Sequence, residues 1–208
     1  MGLISTGDLR TWMGIEEGDK KPNAKLAAVA LAVEDFCDSF TNRKLEADTY
    51  TQDFTYSYLD GSGSNVMYLP LYPVSYVSEI NIDSDRTFGS GTVLPSSDFF
   101  WYPNGKLISE GGYFTKGRRN IRIGYTAGYA PVVGGTNNAV VSSYPIPLDL
   151  KQVMLEMAVQ SIKEGMTAIH SLKGDNPKLE KLFSENSFWR QTLLKYKAWD
   201  ASLQGYEE

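Results

Sequence analysis

Leu26, Val29, Val33, Phe36 and Phe40 recur at spacings of three and four, which puts them on one stripe of an α-helix running from Pro22 to Phe40. The positions between them hold small residues (Ala24, Ala27, Ala28, Ala30, Ala32) or charged ones (Lys25, Glu34, Asp35). Alanines admit a second helix at close range, so this segment is expected to be the central packing helix. A shorter helix precedes it. Ser5 and Asp8 have capping-box spacing, with Ile4 and Leu9 at the staple positions around that cap. Leu9, Trp12 and Met13 form its apolar face, and Gly14 suits a left-handed stop. A charged loop, Glu16 to Lys21, follows, with Asp19 as a cap for the helix that Pro22 opens.

After Phe40 the period changes from helical to strand-like. Thr49 to Tyr58 is rich in Thr, Tyr and Phe, which favour strands, and Gly61-Ser62-Gly63-Ser64 reads as a turn. Asn65 to Leu69 and Tyr76 to Ile82 are further strands, split by Pro70 and Pro73. Asp83 to Gly91 is a polar loop. Phe99 to Tyr102, Lys106 to Ile108 and Asn120 to Thr126 complete the set, the last alternating Ile121, Ile123 and Tyr125 with Arg122, Gly124 and Thr126. Short strands separated by turn signals predict an antiparallel meander.

Helical spacing returns at Pro147, a residue tolerated at a helix start. Leu150, Val153, Met154, Met157, Ala158 and Ile162 form a broad stripe, and Leu155 and Val159 on its flank predict burial on more than one side. Lys173-Gly174-Asp175 breaks the pattern, and Asn176-Pro177 restarts it. Leu179, Leu182, Phe183, Trp189, Leu193 and Tyr196 line the last helix. The fold class expected is therefore α+β: a bundle of about four helices with an antiparallel β-meander inserted between its second and third long segments. The boundaries expected are residues 1–48 for the N-terminal helices, 49–130 for the inserted β subdomain, 131–146 for a long loop that orders against a neighbour, and 147–208 for the C-terminal helices and tail.

Composition narrows the chemistry. The chain has 208 residues with a formal net charge of −5, which argues against a protein that works by neutralising phosphates. Cys37 is the only cysteine and His170 the only histidine, so neither a disulfide framework nor a zinc site is expected. An imidazole-based triad has one candidate, His170, near the end of the third helix, where a surface or capping role suits it better. Gly61-Ser62-Gly63-Ser64 and Gly89-Ser90-Gly91-Thr92 lack the Gly-Lys-Ser/Thr of a phosphate loop. Asp83, Asp85 and Asp98 lack the ordered spacing of a calcium loop. The N-terminus lacks the basic and apolar regions of a signal peptide, and no apolar run reaches membrane-spanning length, so folding in a reducing cytoplasm is expected.

Aromatic residues change the picture most. There are 13 Tyr, 9 Phe and 4 Trp. Phe99-Phe100-Trp101-Tyr102 puts large rings on both faces of one strand, and a small sheet does not bury both by itself. Tyr and Trp supply large, stiff contact area at interfaces, so Trp101 and Tyr102 are read as partner contacts. The basic run Lys116-Gly117-Arg118-Arg119 is read as a hairpin tip or as a salt-bridge partner for an acidic neighbour, which adds Arg118 and Arg119 as contacts. Two other readings stand beside this one. One takes the Phe99 to Tyr102 aromatics as a stacking platform for a glycan, and the other takes Asp35 and Asp38 as the carboxylates of a hydrolase.

The order of features resembles the head–tail connector (adaptor) proteins of tailed bacteriophages. The residues that carry the likeness are Thr41-Asn42-Arg43-Lys44-Leu45-Glu46 after an alanine-rich helix, Leu69-Pro70-Leu71-Tyr72-Pro73-Val74 running into Val77 to Ile82, Asn120 to Tyr129, and Ile146-Pro147-Leu148-Asp149-Leu150 at a helix start. They span roughly residues 5 to 165. The resemblance implies a virion protein of the neck, made in the host cytoplasm. It would form a ring of copies, typically dodecameric, below the portal protein, extend the DNA channel without sequence-specific binding, and offer a docking surface to the next neck or tail-completion protein. It implies no enzyme activity, no cofactor, no metal and no membrane. It further implies that C-terminal residues grip the portal, here Trp189, Arg190, Tyr196 and Trp199.

Overall fold

The computed structural model describes residues 2–16, 22–51, 54, 57–130, 144–163, 184 and 187–198. The protein is mixed α+β, and the chain divides into two compact units. One holds the helices, from Met1–Glu46 and Pro145–Ala198; the other holds the strands of Ala47–Tyr129.

In the helical unit, α1 (Thr6–Met13) starts at the expected capping box: the Asp8 amide donates to Ser5 Oγ at 3.0 Å, and the Ser5 amide donates to Asp8 Oδ2 at 2.9 Å. It ends at Gly14 with φ +66°, a left-handed stop that suits glycine. Ile4 and Leu9, at the staple positions, are both buried. α2 (Asn23–Thr41) ends at Asn42, also left-handed. Its seam differs from the expected stripe. Leu26, Val29, Ala30, Val33, Cys37 and Thr41 are buried, whereas Phe36 and Phe40 are half-buried and stack on each other at 6.4 Å. The small side chains at Ala30 and Cys37 face inward, and α2 packs against α3 (Leu148–Lys163). α3 buries Leu150, Val153, Met154 and Met157 together with the flanking Leu155 and Val159, the broad burial its pattern predicts. α4 (Ser187–Lys195) packs on α3 and α2. Asp19, His170, the break at Lys173-Gly174-Asp175, the restart at Asn176-Pro177 and most of the loop 131–146 lie outside the described residues.

Asp38 ties the end of α2 to the chain beyond it. Its Oδ1 accepts the Leu45 amide at 2.9 Å, and Leu45 is fully buried. Burial, opposed by that amide and by Lys44 but aided by Asp35 and Glu46, pushes the carboxyl up to about 6. The native state then binds the proton more tightly than the unfolded chain, so this site loses stability as pH rises from the ordinary carboxylate value through about 6. Asp38→Asn keeps the acceptor oxygen and removes the charge. It is expected to raise stability at pH 7.5 by about 1 kcal/mol, a value reduced for solvent screening, and to leave it unchanged at pH 4. Thermal melts at the two pH values check this.

In the strand unit the order is β1 (Asp48–Tyr50), β2 (Tyr58–Gly61), β3 (Val66–Tyr68), β4 (Val74–Ile82), β5 (Phe99–Trp101), β6 (Lys106–Ser109) and β7 (Gly117–Ala127). Every pairing among them is antiparallel, but the meander is corrected. β7 is a hub, flanked by β1 and β2 on one side and β4 on the other, and β3, β6 and β5 form a separate three-stranded sheet. Eleven residues let β7 pair with three strands at once; its odd positions Ile121, Ile123 and Tyr125 are fully buried. The expected single strand Thr49 to Tyr58 is broken. The Phe54 amide donates to the Thr51 carbonyl and the Ser57 amide to the Phe54 carbonyl, turning the chain between β1 and β2. A further two-stranded ribbon joins β8 (Tyr129–Ala130) and β9 (Tyr144–Pro145).

Candidate interaction surfaces

In the three-stranded sheet, alternation sorts the side chains by face. Met67, Leu107 and Phe99 point to the buried core. The register pairs Val66 with Ile108 and Ile108 with Phe100, and it pairs Tyr68 with Lys106, whose carbonyl accepts the Tyr102 amide at 2.8 Å. Val66, Ile108, Phe100, Tyr68, Lys106 and Tyr102 therefore share the outer face. Phe100 and Tyr102 are each 49% exposed and Tyr68 is 45% exposed. Trp101 lies on the core side at the sheet's edge, beside Phe99 at 6.3 Å, and keeps 37% of its surface exposed. Large rings thus stand out from both faces of β5.

Arg118 and Arg119 are exposed, but they do not sit at a hairpin tip. They belong to the first residues of β7, where Gly117 pairs with Gly61. The Arg119 amide donates to Asp60 Oδ1 at 2.7 Å, and its guanidinium lies over the Tyr58 ring at 5.3 Å. Tyr58 packs beside Phe88 at 5.7 Å, and the Arg122 guanidinium lies over Phe88 at 5.2 Å while bonding Glu79 at 3.3 Å. This ladder of rings and guanidinium groups docks the loop Asp83–Phe88 on the sheet. The loop is organised by Asp83, whose carboxylate accepts the Thr87 hydroxyl and the amides of Phe88, Asp85 and Thr87; these bonds hold it down at about 2. The order they maintain is present above the ordinary carboxylate value and is lost as pH falls through about 2. Hydrogen exchange at the Thr87 and Phe88 amides is expected to lose its protection between pH 4 and pH 2, and in Asp83→Ala at every pH.

The C-terminal contacts sit in the helical unit. Trp189 is 5% exposed, and its indole N–H donates to Glu156 Oε2 at 2.8 Å. The Tyr196 hydroxyl donates to Asp149 Oδ1 at 2.5 Å, and Lys195 bonds the other oxygen at 3.4 Å. Partial burial pushes Asp149 up, but Tyr196, the Leu150 amide and Lys195 together hold it below the usual range. Trp189 and Tyr196 thus seat α4 on α3, and the exposed residues of α4 include Phe188, Arg190, Gln191, Leu194 and Lys195. Trp199 lies outside the described residues. Tyr68, Val66 and Ile108 are partners of Phe100 and Tyr102 that sequence reasoning did not group with them. Their alternation was visible, but which strands would adjoin was not.

Of the carboxylates read as a hydrolase pair, Asp35 is exposed on α2 and Asp38 holds the Leu45 amide; the acid beside them, Glu34, is structural. Glu34, 8% exposed, accepts the Ile4 amide at 2.9 Å and, like Asp38, clips adjoining chain to α2; burial pushes it up, against its amide bonds to Ile4 and Leu3 and aided by Glu46 and Asp38. Cys37 is fully buried, and burial pushes its thiol up as well. Among the described residues no group of three His, Cys, Asp or Glu side chains is placed to hold a metal ion. No helix among them is long and apolar enough to cross a membrane.

No protein-family model and no curated protein matches the chain. Solved structures do. A chain from the neck of an empty gene transfer agent (GTA) particle, computed with C6 symmetry, superposes with a TM-score of 0.52 at 18% identity, over 77% of this chain and 78% of that one. A chain from the neck of the native GTA particle, computed with C12 symmetry, gives 0.45 at 16% identity over 78% and 81%. The arrangement of helices and sheets described above is thus a fold also used in the neck of a phage-like particle.

Proposed function

We propose that this protein is a structural component of a virion neck, a head–tail connector that closes into a dodecameric ring below the portal protein, extends the DNA channel and docks the next neck or tail-completion protein. The observation that carries this is the fold likeness to a neck chain over 77% of the sequence. That chain belongs to an assembly computed with C6 symmetry, which suits a ring of repeated copies. Exposed rings at Phe100, Trp101 and Tyr102 supply contact area of the kind such a ring needs. Arg118, Arg119 and Arg190, all exposed, are proposed as rim contacts, and the residues 1–48 and 147–208 as the bundle that carries the inserted β subdomain. The net charge of −5 suits a lumen along which DNA slides without adhering.

Mixing the purified subunit with the portal protein of the same genome is expected to yield a symmetric ring on the portal by electron microscopy. A subunit that stays monomeric beside an intact portal would sink the proposal. Phe100→Asp with Tyr102→Asp is expected to weaken ring formation at least about tenfold, read by native mass spectrometry over a concentration series. A glycan platform is less well supported. Val66 and Ile108 fill the row beside Phe100, and Lys106 is the one charged side chain in these rows, so apart from Lys106 and the two tyrosine hydroxyls no group is at hand to hydrogen-bond a sugar.

A further inference from the structure

We draw no further inference here: the strongest candidate, the exposed outer face of the β3–β6–β5 sheet around Phe100, Tyr102 and Tyr68, belongs to the contact surface already proposed, and nothing in the structure shows what covers it.

Discussion

Gly61→Ala is expected to destabilise the strand unit by about 3 kcal/mol or more, because the added methyl has nowhere to go. A Cβ at this position would lie 1.8 Å from the Thr115 carbonyl oxygen and 3.0 Å from Asn120 Oδ1. Neither neighbour is free to withdraw. Asn120 is 2% exposed and bridges the two sides: its Oδ1 accepts the Gly61 amide at 2.9 Å, and its Nδ2 donates to the Thr115 carbonyl at 2.7 Å. The same bridge spans the register shift between Leu59 and Gly61, where the β2–β7 ladder alone leaves backbone groups unmet. Asn120→Ala should therefore cost about 2 kcal/mol, chiefly the penalty for orphaning the buried Gly61 amide, since the Thr115 carbonyl belongs to an exposed residue and can turn to water. Gly89→Ala is the control, since its methyl would meet open space; it should shift stability by less than about 0.5 kcal/mol. Urea denaturation of the three variants decides the matter. Wild-type stability in Gly61→Ala would show that β2 and the Thr115 carbonyl are not held at the distance described.

Trp189→Ala is expected to cost about 3 to 5 kcal/mol and to release α4 from α3, since it removes a large buried ring together with the bond to Glu156. Trp189→Phe retains most of the packing and should cost about 1 kcal/mol, the bond alone. The pair separates two roles that a single truncation confuses. If portal binding falls in the alanine variant and survives in the phenylalanine variant, Trp189 acts by seating the helix. The outward residues of α4 are then the ones to test for direct contact. Arg190→Glu and Phe188→Ser should melt within about 0.5 kcal/mol of the parent while weakening portal capture, read by pull-down at two salt concentrations. Unchanged capture in both would remove α4 from the proposed portal contact.

The helices were legible because periodicity, caps and stops agreed locally. Ser5 with Asp8, Gly14 and Pro147 each act within a few residues of where they stand. On α2 the spacing predicts Leu26, Val29 and Val33 correctly, but Phe36 and Phe40 are only half-buried and Thr41 lies in the seam, because the approach of α3 favours small side chains over large ones. Thr41 is tolerated there since its hydroxyl donates to the Cys37 carbonyl at 2.7 Å. Strand existence was also legible, whereas strand order was not. Nothing local in Asp48–Tyr50 says that its partner is Tyr125–Ala127. The same limit applied to the proposed contacts. Trp189 and Tyr196 stand on the apolar line of the last helix in the sequence, but only the packing of α4 shows that the tryptophan has an acceptor at Glu156 and the tyrosine one at Asp149.

A hub strand placed last sets an order of events during synthesis. β1, β2 and β4 leave the ribosome before β7 and have no partner strand until Gly117–Ala127 appears, β4 having only the bridge from Asn81 to Val93, so each waits with an open edge. Once β7 arrives, all three can zip onto it and the strand unit closes while α3 is still to be translated. The helical unit closes only afterwards, when α3 and α4 return to α1 and α2. A nascent chain halted just beyond Tyr129 would thus carry a finished sheet attached to two helices still lacking their cover.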